Sequence, residues 1–207
     1  MAAETIFIGT DNADARGIAE ALGARFVPVP PAQSDAAWVQ WREGLKAEKP
    51  VQNVVVSLLS ELPTEAPLVE LTTAEWLARG ETPLLRWMEA LAAAAPLCAD
   101  DGAIVAVVDC PPPLDAAGLA PEAGVAEGVE ALARSLSLSE GKRGVRVNAV
   151  VTPARIVTKP IVTPAPPLSG FPGLLQEDVV RAVRLLLSDD AKYLSGHTLP
   201  ADRGRSW

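Results

Sequence analysis

The stretch Pro121 to Val150, PEAGVAEGVEALARSLSLSEGKRGVRVNAV, constrains the fold more than any other, because it reads as a long helix, a tight turn and a buried strand in direct succession. Val125, Val129, Leu132 and Leu136 recur at i, i+4, i+7 and i+11, the stripe by which a helix packs on a core. Beside them runs a row of small residues, Gly124, Gly128, Ala131 and Ser135. A helical glycine costs about 1 kcal/mol of propensity, so the row either admits a second helix or is a plain alanine-rich surface. Gly141 suits the helix stop, and Lys142 and Arg143 complement its negative end. Val145, Val147, Ala149, Val150 and Val151 then supply a β-branched strand.

Two segments carry a resemblance. RSLSLSEGKRGVRVNAV (Arg134 to Val150) resembles the long helix and following strand of the short-chain dehydrogenase/reductase family, of the 3-oxoacyl-(acyl carrier protein) reductase kind. EDVVRAVRLLLSDDAKYLSGHTLPAD (Glu177 to Asp202) resembles that family's last helix and strand, in the right order and spacing. The resemblance implies one domain over residues 1–207. Its expected fold class is α/β, a Rossmann-like three-layer α/β/α sandwich with a mostly parallel sheet of about six strands.

The remaining chain suits that fold. Strands are expected at Thr5 to Gly9, Arg25 to Val29, Val51 to Leu59 and Gly102 to Asp109. Helices are expected at Ala13 to Leu22, Ala36 to Lys46 and Thr73 to Pro96, the last interrupted at Pro83. Trp38 and Trp41, three apart, read as packing. About twenty residues separate the second strand from the third, which suggests a β/α unit lost on the adenine side. Cys110 to Pro121 is proline-rich, and Arg155 to Gly173 takes the place of the family's substrate loop.

The family's phosphate-binding turn is of the type TGxxxGxG, and here the matching run is Gly9, Thr10, Asp11, Asn12, Ala13, Asp14 and Ala15, with Gly9 alone remaining of its glycines. Glycines there allow close phosphate approach, and a carboxylate some 5 Å from a phosphate charge costs on the order of 3 kcal/mol. Asp11, Asn12 and Asp14 therefore read as helix caps that supply the protein's own anion, and no cofactor is expected.

The family's chemistry uses an asparagine, a serine, a tyrosine and a lysine. The register carries these onto Pro83, Asp109, Glu122 and Ala126, so no catalytic residue of the family type is expected. Tyr193, near the C-terminus, is the one tyrosine in the chain. Asp109 and Glu122 could form a substitute acid/base pair, or Glu122 could simply complement its helix dipole. No metal-ligand cluster is expected, since Cys98 and Cys110 have no metal-type spacing. They read as buried thiols of a reducing compartment, and a cytoplasmic location is expected.

A net charge of −8 argues against a nucleic-acid partner. Asp100 and Asp101 interrupt the richest apolar stretch, so no membrane partner is expected either. The pattern of lost site and retained assembly segments implies a pseudoenzyme: a non-catalytic subunit supporting an active NAD(P)-dependent reductase, one acting on acyl thioesters among the options. The partner would be that subunit in a hetero-oligomer, or a second copy in a homo-oligomer. The expected interface comprises Trp87, Leu91, Gly124, Gly128, Ala131, Ser135 and His197. Two alternatives stand beside it: a divergent NAD(P)-dependent oxidoreductase, and a regulatory module binding a ligand between Gly9, Ser57 and Asp109.

Overall fold

The computed structural model describes residues 4–61, 64–112, 117–157 and 168–204. Strands β1 (Thr5–Gly9), β2 (Arg25–Pro28), β3 (Val51–Ser57), β4 (Cys98–Asp109), β5 (Arg146–Thr152) and β6 (Thr198–Pro200) form one parallel sheet in the order β2-β1-β3-β4-β5-β6. Near-continuous apolar runs are what a sheet covered on both faces requires. Ile6, Ile8, Val54, Val56, Ile104 and Ala106 face one layer, and Phe7, Val55, Val105, Val107 and Val150 face the other.

Helix α1 (Ala13–Leu22) covers the second face, joined there by a C-terminal helix. Helices α2 (Asp35–Leu45), α4 (Thr82–Leu97) and α5 (Ala120–Glu140) cover the first, with Trp38, Trp87 and Val129 buried between helices and sheet. The short α3 (Thr73–Trp76) opens with a capping box, in which Thr72 Oγ1 accepts from the Glu75 amide and the Glu75 carboxylate accepts from the Thr72 amide. The C-terminal helix α6 (Val180–Leu187) completes the three-layer sandwich.

Several boundaries differ from expectation, β3 among them, which ends at Ser57 rather than Leu59. The helical region of residues 73–97 is interrupted by a wide turn at Leu77–Glu81, and Pro83 follows in the first turn of α4, where its missing N–H costs nothing. Strand β4 starts at Cys98 rather than Gly102, with Asp101 at φ 61° and a register irregularity against β3. A Cβ at Gly102 would lie 2.6 Å from the Gln52 carbonyl, so glycine is required where β4 closes on β3. A second wide turn, Leu175–Val179, leads into α6. Of the loops expected at Cys110 to Pro121 and Arg155 to Gly173, residues 113–116 and 158–167 lie outside the described residues.

From β1 the chain passes to β2 on one side and to β3 on the other. Where the order reverses, loops leaving the carboxyl ends of the strands diverge and leave a crevice.

Candidate functional site

The turn after β1 is built by capping. Asn12 accepts from the Ala15 amide at 2.9 Å and donates to the Leu59 carbonyl at 2.6 Å, tying the start of α1 to the end of β3. Of the three polar residues expected to cap this helix, Asn12 is therefore the one that does so. Asp11 pairs with Arg16 at 2.6 Å, whose guanidinium holds its carboxyl below the usual range. Asp14 pairs with Arg155 at 2.7 Å. The two carboxylates expected to repel a phosphate thus each have a cation against them. Gly9 is buried, and a Cβ there would lie 2.7 Å from the Phe7 ring, so strand packing demands this glycine.

Arg155, in the turn after β5, reaches across the carboxyl edge of the sheet. Its Nε donates to Asp14, one Nη to Asp109 Oδ2 and the other to the Ser60 carbonyl at 2.7 Å. One side chain thereby ties together the loops after β1, β3, β4 and β5. Asp109 ends β4, and its side chain is 16% exposed. Its Oδ1 is shielded from solvent and has no hydrogen-bond partner among the described residues. Burial pushes the Asp109 carboxyl up to about 6, and the Arg155 charge opposes that rise without cancelling it.

Glu122, in the first turn of α5, does more than complement the helix dipole. Both its oxygens accept from Arg79, at 2.8 and 2.9 Å, and Arg79 also donates to the Gly118 carbonyl. Asp109 and Glu122 line one cavity, but each is held by a different arginine. Ala126 is fully buried in the core, and Pro83 is at the cavity wall.

That inner cavity, about 360 Å³, is walled by Leu58, Trp87, Val108, Val125 and Ile156. An outer cavity of about 400 Å³ lies against Thr10, Asp11, Pro28 to Ala32 and Trp38. Both share Ala32, Leu58, Ser60 and Pro83, so they form two lobes of one crevice at the reversal of strand order. Ser57, proposed from sequence as a pocket residue, is fully buried and donates to the Val107 carbonyl; the crevice opens instead at Leu58 and Ser60. Burial pushes Cys98 and Cys110 up to about 11, which keeps both as thiols. Among the described residues no group of three or more His, Cys, Asp and Glu could hold a metal ion, and no helix is long and apolar enough to cross a membrane.

The residues expected at an interface divide. Trp87 and Leu91 are 2% and 3% exposed in the chain's own core, while Leu85 and Met88 of the same helix stay exposed. Gly128 faces Leu84 of α4, its missing Cβ making room for that side chain. Gly124, Ala131, Ser135 and His197 are exposed. Sequence reasoning missed Arg79 and Arg155, both in irregular segments; unpaired acids at the crevice positions Asp109 and Glu122 were the signal that cations would be needed nearby.

The family described as enoyl-(acyl carrier protein) reductase matches residues 3–206. Among solved structures, a short-chain dehydrogenase/reductase from Serratia marcescens is similar at 16% identity and TM-score 0.74, over 99% of this chain and 98% of its own. An equally short chain therefore carries the same fold. A blue fluorescent protein from a metagenomic library, in complex with NADPH, is 22% identical at TM-score 0.68 over 98% of this chain and 88% of its own. An enoyl-(acyl carrier protein) reductase from Anaplasma phagocytophilum, in complex with NAD, is 18% identical at TM-score 0.70, covering 98% and 91%. No curated protein matches the sequence. The two dinucleotide complexes overturn the expectation that no cofactor is used. Its electrostatic premise fails too, because Arg16 and Arg155 neutralise the carboxylates of the turn.

Proposed function

The chain belongs to the enoyl-(acyl carrier protein) reductase family of short-chain dehydrogenase/reductase folds, and on that premise we propose that it is a divergent NAD(P)-dependent oxidoreductase. The observation that carries this reading is the two-lobed crevice at the carboxyl edge of the sheet, where the strand order reverses. The outer lobe, with its proline wall and Trp38, suits the adenosine half of a dinucleotide; the inner lobe suits the nicotinamide half and a substrate beside it. Ser60 and Pro83 stand between them, and the amide-rich start of α1 adjoins Thr10. When bound, the dinucleotide supplies hydride chemistry. An acyl thioester substrate and a cytoplasmic setting, the latter supported by two free cysteines, belong to the same proposal.

Trp38 and Trp87 line the outer and inner lobes, so tryptophan fluorescence reports on both. Titration with NADH and NADPH is expected to give a saturable change below millimolar concentration. A flat response with both dinucleotides would refute the proposal.

A second reading, a non-catalytic subunit of an active reductase, is supported by Glu122, bound to Arg79, and buried Ala126 in the first turns of α5, the positions to which the family resemblance carries a tyrosine and a lysine. The exposed row Gly124, Ala131 and Ser135 would then serve assembly. It predicts that the chain, purified from its own cells, carries a reductase subunit in fixed ratio. Purification as the lone chain would end it.

A further inference from the structure

Resting on the oxidoreductase reading, we propose that Arg79 is the substrate-recognising donor of the inner lobe, its Nη1 holding the oxygen of an uncharged carbonyl compound. Arg79 stands on the wide turn Leu77–Glu81 and lines that lobe, with Glu122 beside it. Its Nε donates to Glu122 Oε1 at 2.8 Å, and its Nη2 donates to Glu122 Oε2 at 2.9 Å and to the Gly118 carbonyl at 3.2 Å. Nη1 is left without an acceptor among the described residues. Unlike the unpaired Asp109 Oδ1 it is open to solvent, and the side chain as a whole is 16% exposed.

The other arginines of the crevice have no nitrogen to spare. Arg86 commits Nε to the Ala32 carbonyl, Nη1 to Glu89 and Nη2 to Asp35. Arg155 commits its nitrogens to Asp14, Asp109 and the Ser60 carbonyl. Arg79 is also fixed through its backbone, since the next residue, Gly80, is buried against Pro121 of α5, where a Cβ would lie 3.6 Å from that of the proline. A wide turn of this kind re-aims the side chains it carries, and here it brings Ala78 and Arg79 to the lobe wall. A donor held before the ligand arrives loses little freedom on binding.

The charges around Arg79 select the ligand. Glu61, Asp109 and Glu122 line the lobe with it, and Arg155 pairs with Asp109 from the turn after β5. Each arginine is thus already matched by a carboxylate. A carboxylate substrate would find no free positive charge and would face those acids in a partly desolvated site. A ketone, ester or thioester oxygen brings no charge and needs only an N–H, and a guanidinium donates a stronger hydrogen bond than a neutral group does. Leu58, Trp87, Val108, Val125 and Ile156 offer the rest of such a molecule an apolar wall. The substrate class is therefore a neutral, largely apolar carbonyl compound, an ester or thioester in preference to the free acid.

The test uses the full chain saturated with NADP⁺, which cannot reduce the probes, and the matched pair ethyl 3-oxobutanoate and 3-oxobutanoate. Binding is read from tryptophan fluorescence, to which Trp87 in the same wall contributes, and from the ¹⁵N–¹H signals of the Arg79 guanidinium, assigned by their loss in Arg79→Lys. The ester is expected to bind about tenfold or more tightly than the acid. It is expected to shift the Arg79 signals and to leave those of Arg86 and Arg155 in place. Arg79→Lys keeps a cation for Glu122 but loses the planar fork, and is expected to weaken the ester about tenfold or more. The double variant Arg79→Met, Glu122→Gln leaves no unpaired charge and is expected to weaken it as much, which separates the lost donor from a stranded Glu122. With NADPH in place of NADP⁺, KM for the ester is expected to rise in both variants by the same factor. No binding of the ester, an acid bound as tightly as the ester, Arg79 signals unmoved by bound ester, or ester affinity unchanged in both variants would overturn the role of Arg79 and leave dinucleotide binding standing. Failure of the wild-type chain to bind either nicotinamide dinucleotide would sink the oxidoreductase reading, and this proposal with it.

Discussion

Asp109→Asn is expected to make the protein more stable at neutral pH and to make no difference in acid. The Asp109 carboxyl rises on folding from an ordinary 3.8 to about 6, because burial penalises the charged form more than Arg155 favours it. A raised carboxylate means that the folded state binds the proton more tightly than the unfolded chain. Its contribution to stability is thus fully present below 3.8 and is lost as pH rises through 6. Roughly two pH units at 1.36 kcal/mol each give about 3 kcal/mol of stability forfeited at pH 7 and above. Asparagine removes the charge and still offers an oxygen to Arg155, so it recovers that amount. Urea unfolding of both proteins across this range is the assay, and the variant's midpoint is expected to exceed the wild type's by about 1 M or more at neutral pH. The two curves are expected to converge near pH 4, where Asp109 is neutral in the folded state. Equal midpoints at pH 7 would show that Arg155 holds the carboxylate ionised, and a gap that persists undiminished into acid would show that it does not arise from the charge. Either result would mean that burial does not govern this carboxyl.

Arg79→Ala leaves Glu122, 15% exposed, without its cation and is expected to cost about 3–5 kcal/mol, with Glu122→Gln in the same chain restoring part of it in thermal melts. Arg155→Ala removes the charge that opposes the rise at Asp109, so the carboxyl midpoint read by ¹³C NMR should move above about 6; a midpoint that stays put or falls would contradict the assigned cause. Gly124→Ala, at a helical position where a Cβ meets nothing within 4 Å, is expected to stabilise the chain by about 1 kcal/mol in chemical unfolding. Destabilisation there would mean that this face is already occupied.

The strands were legible because each carries a run of β-branched or apolar residues, Ile6 to Ile8 in β1, Val54 to Val56 in β3, Ala103 to Val108 in β4 and Ala149 to Val151 in β5, and burial of those runs on both faces follows from their lack of polar alternation. Helix α5 was legible from Val125, Val129 and Leu132, and it ends at Glu140 as Gly141 suggested. The start of β4 was not, because Asp100 and Asp101 look like a turn until Gly102 is seen pressed against the Gln52 carbonyl. Trp87 and Leu91 looked available to a partner because periodicity shows how many sides of a helix are apolar, and not what lies against each side.

What this sequence determines by itself is local or periodic: strand and helix positions, the small-residue row, and the segments that place the chain in its family. These are set by propensity and by the spacing of apolar residues, which act over a few positions along the chain. The site was decided only in three dimensions. Arg155 meets Asp14 across 141 residues of sequence and Arg79 meets Glu122 across 43. A charge read alone in sequence predicts repulsion of a phosphate; the same charge beside an arginine does not. Coulomb energy and desolvation depend on distance and burial, and neither quantity exists until the loops after β1, β3, β4 and β5 are brought to one edge of the sheet.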